Sequence, residues 1–119
     1  IAHLIGDWLL QNDAMARGKR NQPTSIACAV HCTVYTATIV LALWLFDQLW
    51  LNDQFLLSWP RFVVISILIF LSHWLIDAFD LARHWGRLIR QTDVTFVRIL
   101  VDQTMHLIVL AFLADWLAS

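Results

Sequence analysis

The sequence predicts an all-α integral membrane protein, a single domain over residues 1–119 built as a bundle of four transmembrane helices. Hydrophobic residues make up 60% of the chain and charged residues only 14%, a composition too apolar for an ordinary soluble domain. The apolar residues fall into segments that approach the roughly 20 residues needed to span a bilayer, separated by polar links. Together these two observations favour a multi-pass membrane protein.

Glycine and proline mark where the predicted helices begin and end. Gly18 and Pro23 interrupt the first polar link, and Pro60 suits the first turn of the third helix. We predict helices over about residues 1–17, 24–46, 61–83 and 94–117. The apolar part of the first helix is about half of a span, so we expect residues to be missing before Ile1. Residues 47–60 mix aromatic and acidic side chains, which indicates a loop in the membrane interface.

The basic residues predict the orientation and the partners. Seven of the 8 lysines and arginines lie in or beside the first and third links, whereas Arg61 alone borders the second. These seven are Arg17, Lys19, Arg20, Arg83, Arg87, Arg90 and Arg98. By the positive-inside rule, those two links face the cytoplasm. The net charge of -1 says nothing about nucleic acid, but the sequence has no basic tail and no RNA-binding aromatic motif, so we expect no nucleic-acid partner. We expect membrane lipids, and a larger membrane complex or a homo-oligomer, as partners.

Ionisable residues recur at four-residue spacing inside the apolar segments. The pattern contains His3, Asp7 and Gln11 in the first helix, His31 in the second, His73 and Asp77 in the third, and Asp102, Gln103 and His106 in the fourth. Residues four apart share one face of a helix. Counted at about 1.5 Å per residue from the cytoplasmic helix ends, six of the ionisable groups lie about 9 to 17 Å deep, and His3 about 21 Å. Such a layer indicates a functional site.

Histidine and aspartate in this pattern are typical ligands of zinc, iron or manganese, and helix bundles build such sites from inward-facing side chains. We predict four metal ligands, two catalytic groups that complete the site, and three groups that orient ligands or water. The predicted metal ligands are His73, Asp77, Asp102 and His106. The predicted catalytic groups are Asp7 and His31, and the predicted orienting groups are His3, Gln11 and Gln103. The bound metal would activate water to hydrolyse a lipid-linked substrate near the cytoplasmic leaflet.

Other interpretations of the same residues stay open. The pairs can join helices without further function, or serve a non-catalytic or proton-handling subunit of a larger complex, so the sequence does not decide whether the protein is an enzyme. Haem bound by two histidines is disfavoured, because the many carboxylates beside it would need partners. Cys28 and Cys32 share a face with His31 and can bind a soft metal, although small packing residues are the better interpretation.

The ordered set His3-x-x-x-Asp7-x-x-x-Gln11, His31, His73-x-x-x-Asp77 and Asp102-Gln103-x-x-His106 resembles the signature of a bacterial membrane-protein family, domain of unknown function 3307. The resemblance covers nearly the whole chain. It implies a small polytopic protein of the bacterial inner (cytoplasmic) membrane, whose biochemical role is uncharacterised. Asp80, Leu81 and Ala82 stand where members of the family often place a lysine, so a role for that lysine does not carry over.

Overall fold

The computed structural model of the chain describes residues 1–11, 25–50, 58–91 and 95–118, and these residues form helices and turns without a strand. The all-α prediction is therefore confirmed. Helix α1 is short and continues directly as a π-helical segment. The helices are α1 (Ala2–Leu4) with the π-helical segment Ile5–Leu9, α2 (Ile26–Trp50), α3 (Trp59–Ala78), α4 (Leu81–Leu88) and α5 (Thr95–Ala118).

Three helices among the described residues, α2, α3 and α5, are long and apolar enough to cross a membrane. The prediction of four spans is wrong in this respect. The described helical part of the first predicted span, from Ala2 to Leu9, rises about 12 Å, less than half of the roughly 30 Å hydrocarbon core. The remainder of that predicted helix, residues 12–17, lies outside the described residues.

The third predicted helix does not run unbroken to Arg83. Helix α3 ends at Ala78, and Asp80 adopts a left-handed conformation with φ 47° before α4 begins. Aspartate tolerates this backbone better than most residues, and here its carboxylate accepts a hydrogen bond from the Arg83 backbone N–H at 3.3 Å while pairing with Arg98 of α5. Residues 84–88, predicted to belong to a polar link, form part of helix α4.

The interfacial loop predicted over residues 47–60 is shorter than expected. Helix α2 extends beyond the predicted end at Phe46 to Trp50, and α3 begins at Trp59. Residues 51–57 lie outside the described residues, as do Arg17, Lys19 and Arg20 of the first link. Arg83 and Arg87 in α4 are exposed, as a helix lying against lipid head groups requires.

Apolar side chains from α2, α3 and α5 form the core. It consists of Tyr35, Ile39, Val40, Ile65, Ile69 and Leu117. The opposite faces of the same helices expose large apolar side chains, among them Leu45, Leu68 and Phe112. Extensive exposed apolar surface is unfavourable in water and suits contact with lipid. Helix α2 packs against α3, α3 packs against α5, and the π-helical segment packs against α2.

Gly6 allows the π-helical segment to approach α2 closely. A Cβ at this position would lie 3.2 Å from both Cα and Cδ2 of Tyr35, and a helix backbone cannot easily move to relieve such a contact. We expect Gly6→Ala to lower the free energy of unfolding by about 1–3 kcal/mol, the usual cost of overpacking. Thermal unfolding in detergent measures the effect, with the exposed Leu4→Ala as control. Equal stability of Gly6→Ala and the native chain would contradict this account.

Candidate metal centre

The site begins with Asp7, which the π-helical segment holds in the protein interior. The hydrogen bond from Leu10 N–H to the Ile5 carbonyl, 2.9 Å long, spans five residues and thus defines the wider π turn. Gly6, the residue before Asp7, brings this turn against α2, so the Asp7 side chain is only 2% exposed. Single π turns occur frequently at functional sites, and this one places a carboxylate beside His31 of α2.

Four side chains from three separate segments meet at one point. Their ligand atoms are Asp7 Oδ1, His31 Nε2, His73 Nε2 and Asp77 Oδ2. The two imidazole nitrogens are 2.9 Å apart. His31 Nε2 lies 3.3 Å from each carboxylate oxygen, and His73 Nε2 lies 4.0 Å from that of Asp7 and 3.5 Å from that of Asp77. We call these four residues the first ligand group.

Two of these separations equal the edges of a metal-coordination tetrahedron, and the others are shorter or longer than those edges. A metal bound at about 2.0–2.1 Å by four ligands separates neighbouring ligand atoms by about 3.3–3.4 Å. The measured distances run from 2.9 to 4.0 Å, with two of them at 3.3 Å. All four atoms lie within 4.8 Å of one another. The first ligand group can therefore hold one divalent ion.

The charge of this group also favours a cation. Asp7 and Asp77 bring two carboxylates whose side chains are each 2% exposed. Among the described residues no arginine or lysine is buried, and Arg98 pairs with Asp80 instead. A buried carboxylate is costly without a compensating positive charge. A divalent ion, or protons on the carboxyl groups or on the neighbouring imidazoles, would balance the two aspartates.

Asp7 also belongs to a second ligand group, which it forms with Asp102 and His106 of α5. His106 Nδ1 lies 2.8 Å from the backbone carbonyl of Asp102. A carbonyl only accepts, so Nδ1 carries the proton, and in the neutral ring Nε2 presents a lone pair. That Nε2 is 3.8 Å from Asp77 Oδ1. Holding the far nitrogen of a ligating histidine in this way is characteristic of metal sites.

A chain of hydrogen bonds positions Asp7. Gln103 donates through Nε2 to Asp7 Oδ2 at 2.6 Å, and its Oε1 accepts from His3 Nε2 at 2.8 Å. Because His3 Nε2 donates, the neutral ring accepts at Nδ1 from the Tyr35 hydroxyl, 2.9 Å away. Both nitrogens of His3 are thus engaged, and the chain fixes the orientation of a carboxylate that points at His31.

Tyr35 is the functional residue that sequence reasoning missed. Besides donating to His3, its ring stacks on the imidazole of His73, with centroids 3.7 Å apart and planes 9° apart. It is the only tyrosine in the chain and lies four residues after His31, on the same face of α2. That spacing was the available signal, because a tyrosine buried in an apolar helix needs a partner for its hydroxyl.

The structure brings most of the predicted site residues together, although their roles stay predictions. Asp7 and His31, expected to be catalytic, lie in ligand positions beside His73 and Asp77. Gln11 stands apart: it follows the end of the π-helical segment, and its Oε1 accepts no hydrogen bond from the described residues. Neither ligand group contains a cysteine; Cys28 and Cys32 are fully buried in α2.

Comparison with known proteins leads to a family. No curated protein and no solved structure matched the chain. A family model did match, over residues 1–118, and this range includes every residue of both ligand groups. The family resemblance inferred from the ordered histidines and aspartates is thereby confirmed. The chain belongs to the family described as Protein of unknown function (DUF3307).

Proposed function

We propose that this protein is embedded in the bacterial inner membrane, binds a divalent metal through the first ligand group, and uses it to hydrolyse a lipid-linked substrate. One observation carries the proposal: Asp7, His31, His73 and Asp77 aim four ligand atoms at a common point from three segments of the chain. Register-fixing hydrogen bonds between helices need only pairs. Four convergent ligands, two of them carboxylates without a buried arginine or lysine nearby among the described residues, go beyond that requirement.

The ligand set also bears on the choice of metal. Two imidazoles and two carboxylates suit zinc, iron and manganese. Four protein ligands complete a tetrahedral zinc site and leave no position for water, whereas hydrolysis needs an open one. Manganese and iron accept more ligands, so either metal would keep a water in place with all four residues bound. The 2.9 Å between His31 Nε2 and His73 Nε2 is too short for these two histidines to be the axial ligands of one haem, whose axial nitrogens would be about 4 Å apart.

A lipid-linked substrate is supported by the surface between α2 and α3. A groove of about 440 Å³ lies there, lined almost entirely by apolar atoms. Its lining includes Thr33 and Phe70, which are within one helical turn of His31 and His73 along their helices. A hydrocarbon chain in this groove would bring its head group to a similar depth along α2 and α3 as His31 and His73. By the positive-inside argument, that head group belongs to the cytoplasmic leaflet.

Elemental analysis of the detergent-purified chain, never exposed to chelator, tests the proposal together with a hydrolysis assay. We expect zinc, iron or manganese in near-stoichiometric amount, its loss in His73→Ala, and its retention in His84→Ala, which removes an exposed histidine outside both ligand groups. The metal-loaded protein should hydrolyse a member of a panel of lipid phosphates and lipid esters, and His73→Ala should not. Absence of metal would overturn the whole proposal; metal without hydrolysis would leave a structural site.

A proton-handling or non-catalytic subunit is the second candidate. The hydrogen-bonded chain from Tyr35 through His3 and Gln103 to Asp7 favours it, because such chains can carry protons between buried groups. The two candidates differ in what they need. A proton relay works without metal, so Asp7→Asn would block proton flux into liposomes and leave the metal content unchanged. In a metal centre, the same variant would lose bound metal.

A further inference from the structure

We infer that the cluster holds two metal ions, the second bound by His106 and Asp102 and joined to the first through the carboxylates of Asp77 and Asp7. The inference rests on the proposed function, because the first ion occupies the first ligand group. It extends that function from a single metal to a dinuclear centre. Two-metal sites, with ions about 3.5–4 Å apart, are a recurrent arrangement in hydrolytic enzymes.

Asp77 has the geometry of a bridging ligand. Its Oδ2 faces the first ligand group, 3.3 Å from His31 Nε2 and 3.5 Å from His73 Nε2. Its Oδ1 faces the other way, 3.8 Å from His106 Nε2. The two oxygens of one carboxylate therefore point towards histidines of different groups. A carboxylate with one oxygen on each metal is how two ions are held at the separation that two-metal sites show.

His106 supplies a lone pair that no described residue uses. The residue is 2% exposed, and its Nε2 has no hydrogen-bond partner among the described residues. Since Nδ1 is committed to the Asp102 carbonyl, the ring cannot shift its proton without breaking that bond. A buried ring nitrogen left without a partner is costly, and a metal ion is the partner that a lone pair between two carboxylates suits.

Asp7 and Asp102 complete the second position. One ligand atom from each of Asp7, Asp102 and His106 lies within 4.8 Å of the other two. Asp7 belongs to both ligand groups, as Asp77 faces both. The two groups therefore share Asp7, Asp77 turns one oxygen towards each of them, and their histidines are separate. This division is what a dinuclear centre requires, because the charged ligands are placed between the two ions.

The charge of the cluster supports two ions over one. As metal ligands, Asp7, Asp77 and Asp102 would carry three negative charges, so one divalent ion would leave a deficit of one positive charge. Two divalent ions leave an excess of one, which a hydroxide bound between them neutralises. In a dry interior, the neutral arrangement is favoured. It also provides the activated water that the four ligands of a single tetrahedral zinc site would exclude.

The number of ions per chain tests the inference. The detergent-purified full chain, depleted with chelator and dialysed against Mn²⁺, should bind two ions per chain, and its electron paramagnetic resonance spectrum should show a magnetically coupled pair. His106→Ala should bind one ion and give the spectrum of isolated Mn²⁺. Asp102→Asn preserves side-chain volume and replaces His106→Ala in the test if that variant fails to fold. It should likewise bind one ion and give the spectrum of isolated Mn²⁺. His84→Ala serves as matched control and should retain the coupled pair.

Each contrary result has a distinct meaning. One ion in both the native chain and His106→Ala would overturn the second ion and leave the proposed metal centre standing. No ion in the native chain would overturn both proposals. Two uncoupled ions, unaffected by His106→Ala and Asp102→Asn, would place the second ion elsewhere and equally refute the dinuclear centre.

Discussion

Replacing His31 or His73 with alanine is expected to abolish the stabilisation conferred by a metal ion in the first ligand group. Each ring supplies one of four convergent ligand atoms, and the two nitrogens are 2.9 Å apart. An ion held by the native state at 100 times its dissociation constant adds about 2.7 kcal/mol to the free energy of unfolding. The native protein should therefore melt at a lower temperature after treatment with chelator, whereas either variant should show a smaller chelator-induced shift, because only the position formed by Asp7, Asp102 and His106 is left intact.

The decisive quantity is the change in melting temperature on treatment with chelator, rather than the melting temperature itself. His31 and His73 are 0% and 1% exposed, so truncation leaves a cavity that lowers stability with or without metal. Comparing each variant with its own chelated form removes that contribution. His84→Ala should keep the native shift. A shift of native size in both His31→Ala and His73→Ala would show that the ion binds outside the first ligand group.

Gln103→Leu is expected to weaken metal binding 10- to 100-fold, the range found when groups that orient metal ligands are removed, or about 1.4–2.8 kcal/mol. The change removes the donor to Asp7 Oδ2 and the acceptor for His3 Nε2 in one step. Asp7 then loses the hydrogen bond that directs its other oxygen at His31. Competition with a chromophoric chelator measures the affinity.

Two further variants make that experiment specific. Tyr35→Phe keeps the ring stacked on His73 and removes only the hydroxyl that donates to His3, so we expect a smaller loss than with Gln103→Leu. Thr104→Ala changes the exposed neighbour of Gln103 on α5 and should leave the affinity unchanged. If Gln103→Leu binds metal as tightly as the native chain, the hydrogen-bonded chain has no part in positioning Asp7.

Local periodicity explains what could be predicted about the fold. Long apolar segments must be helical in a membrane, because helices satisfy their own backbone hydrogen bonds, and α2, α3 and α5 follow from this rule. One failure lies where a distant residue is involved. The third predicted helix breaks at Asp80, whose left-handed backbone is accompanied by a contact with Arg98, a residue of α5. No pattern within α3 reveals that partner.

For the site, the sequence by itself determined the residue types and the helix faces. Four-residue spacing places His73 above Asp77 and Asp102 above His106, whatever surrounds them. Only the tertiary structure decided which side chains meet: Asp7 joins His31 and His73, while Asp77 turns its second oxygen to His106. The physical reason is that spacing sets direction around one helix axis, whereas contact between helices depends on their rotation and separation. For Asp7, the π turn and the close approach of Gly6 to Tyr35 determine how the first segment meets α2.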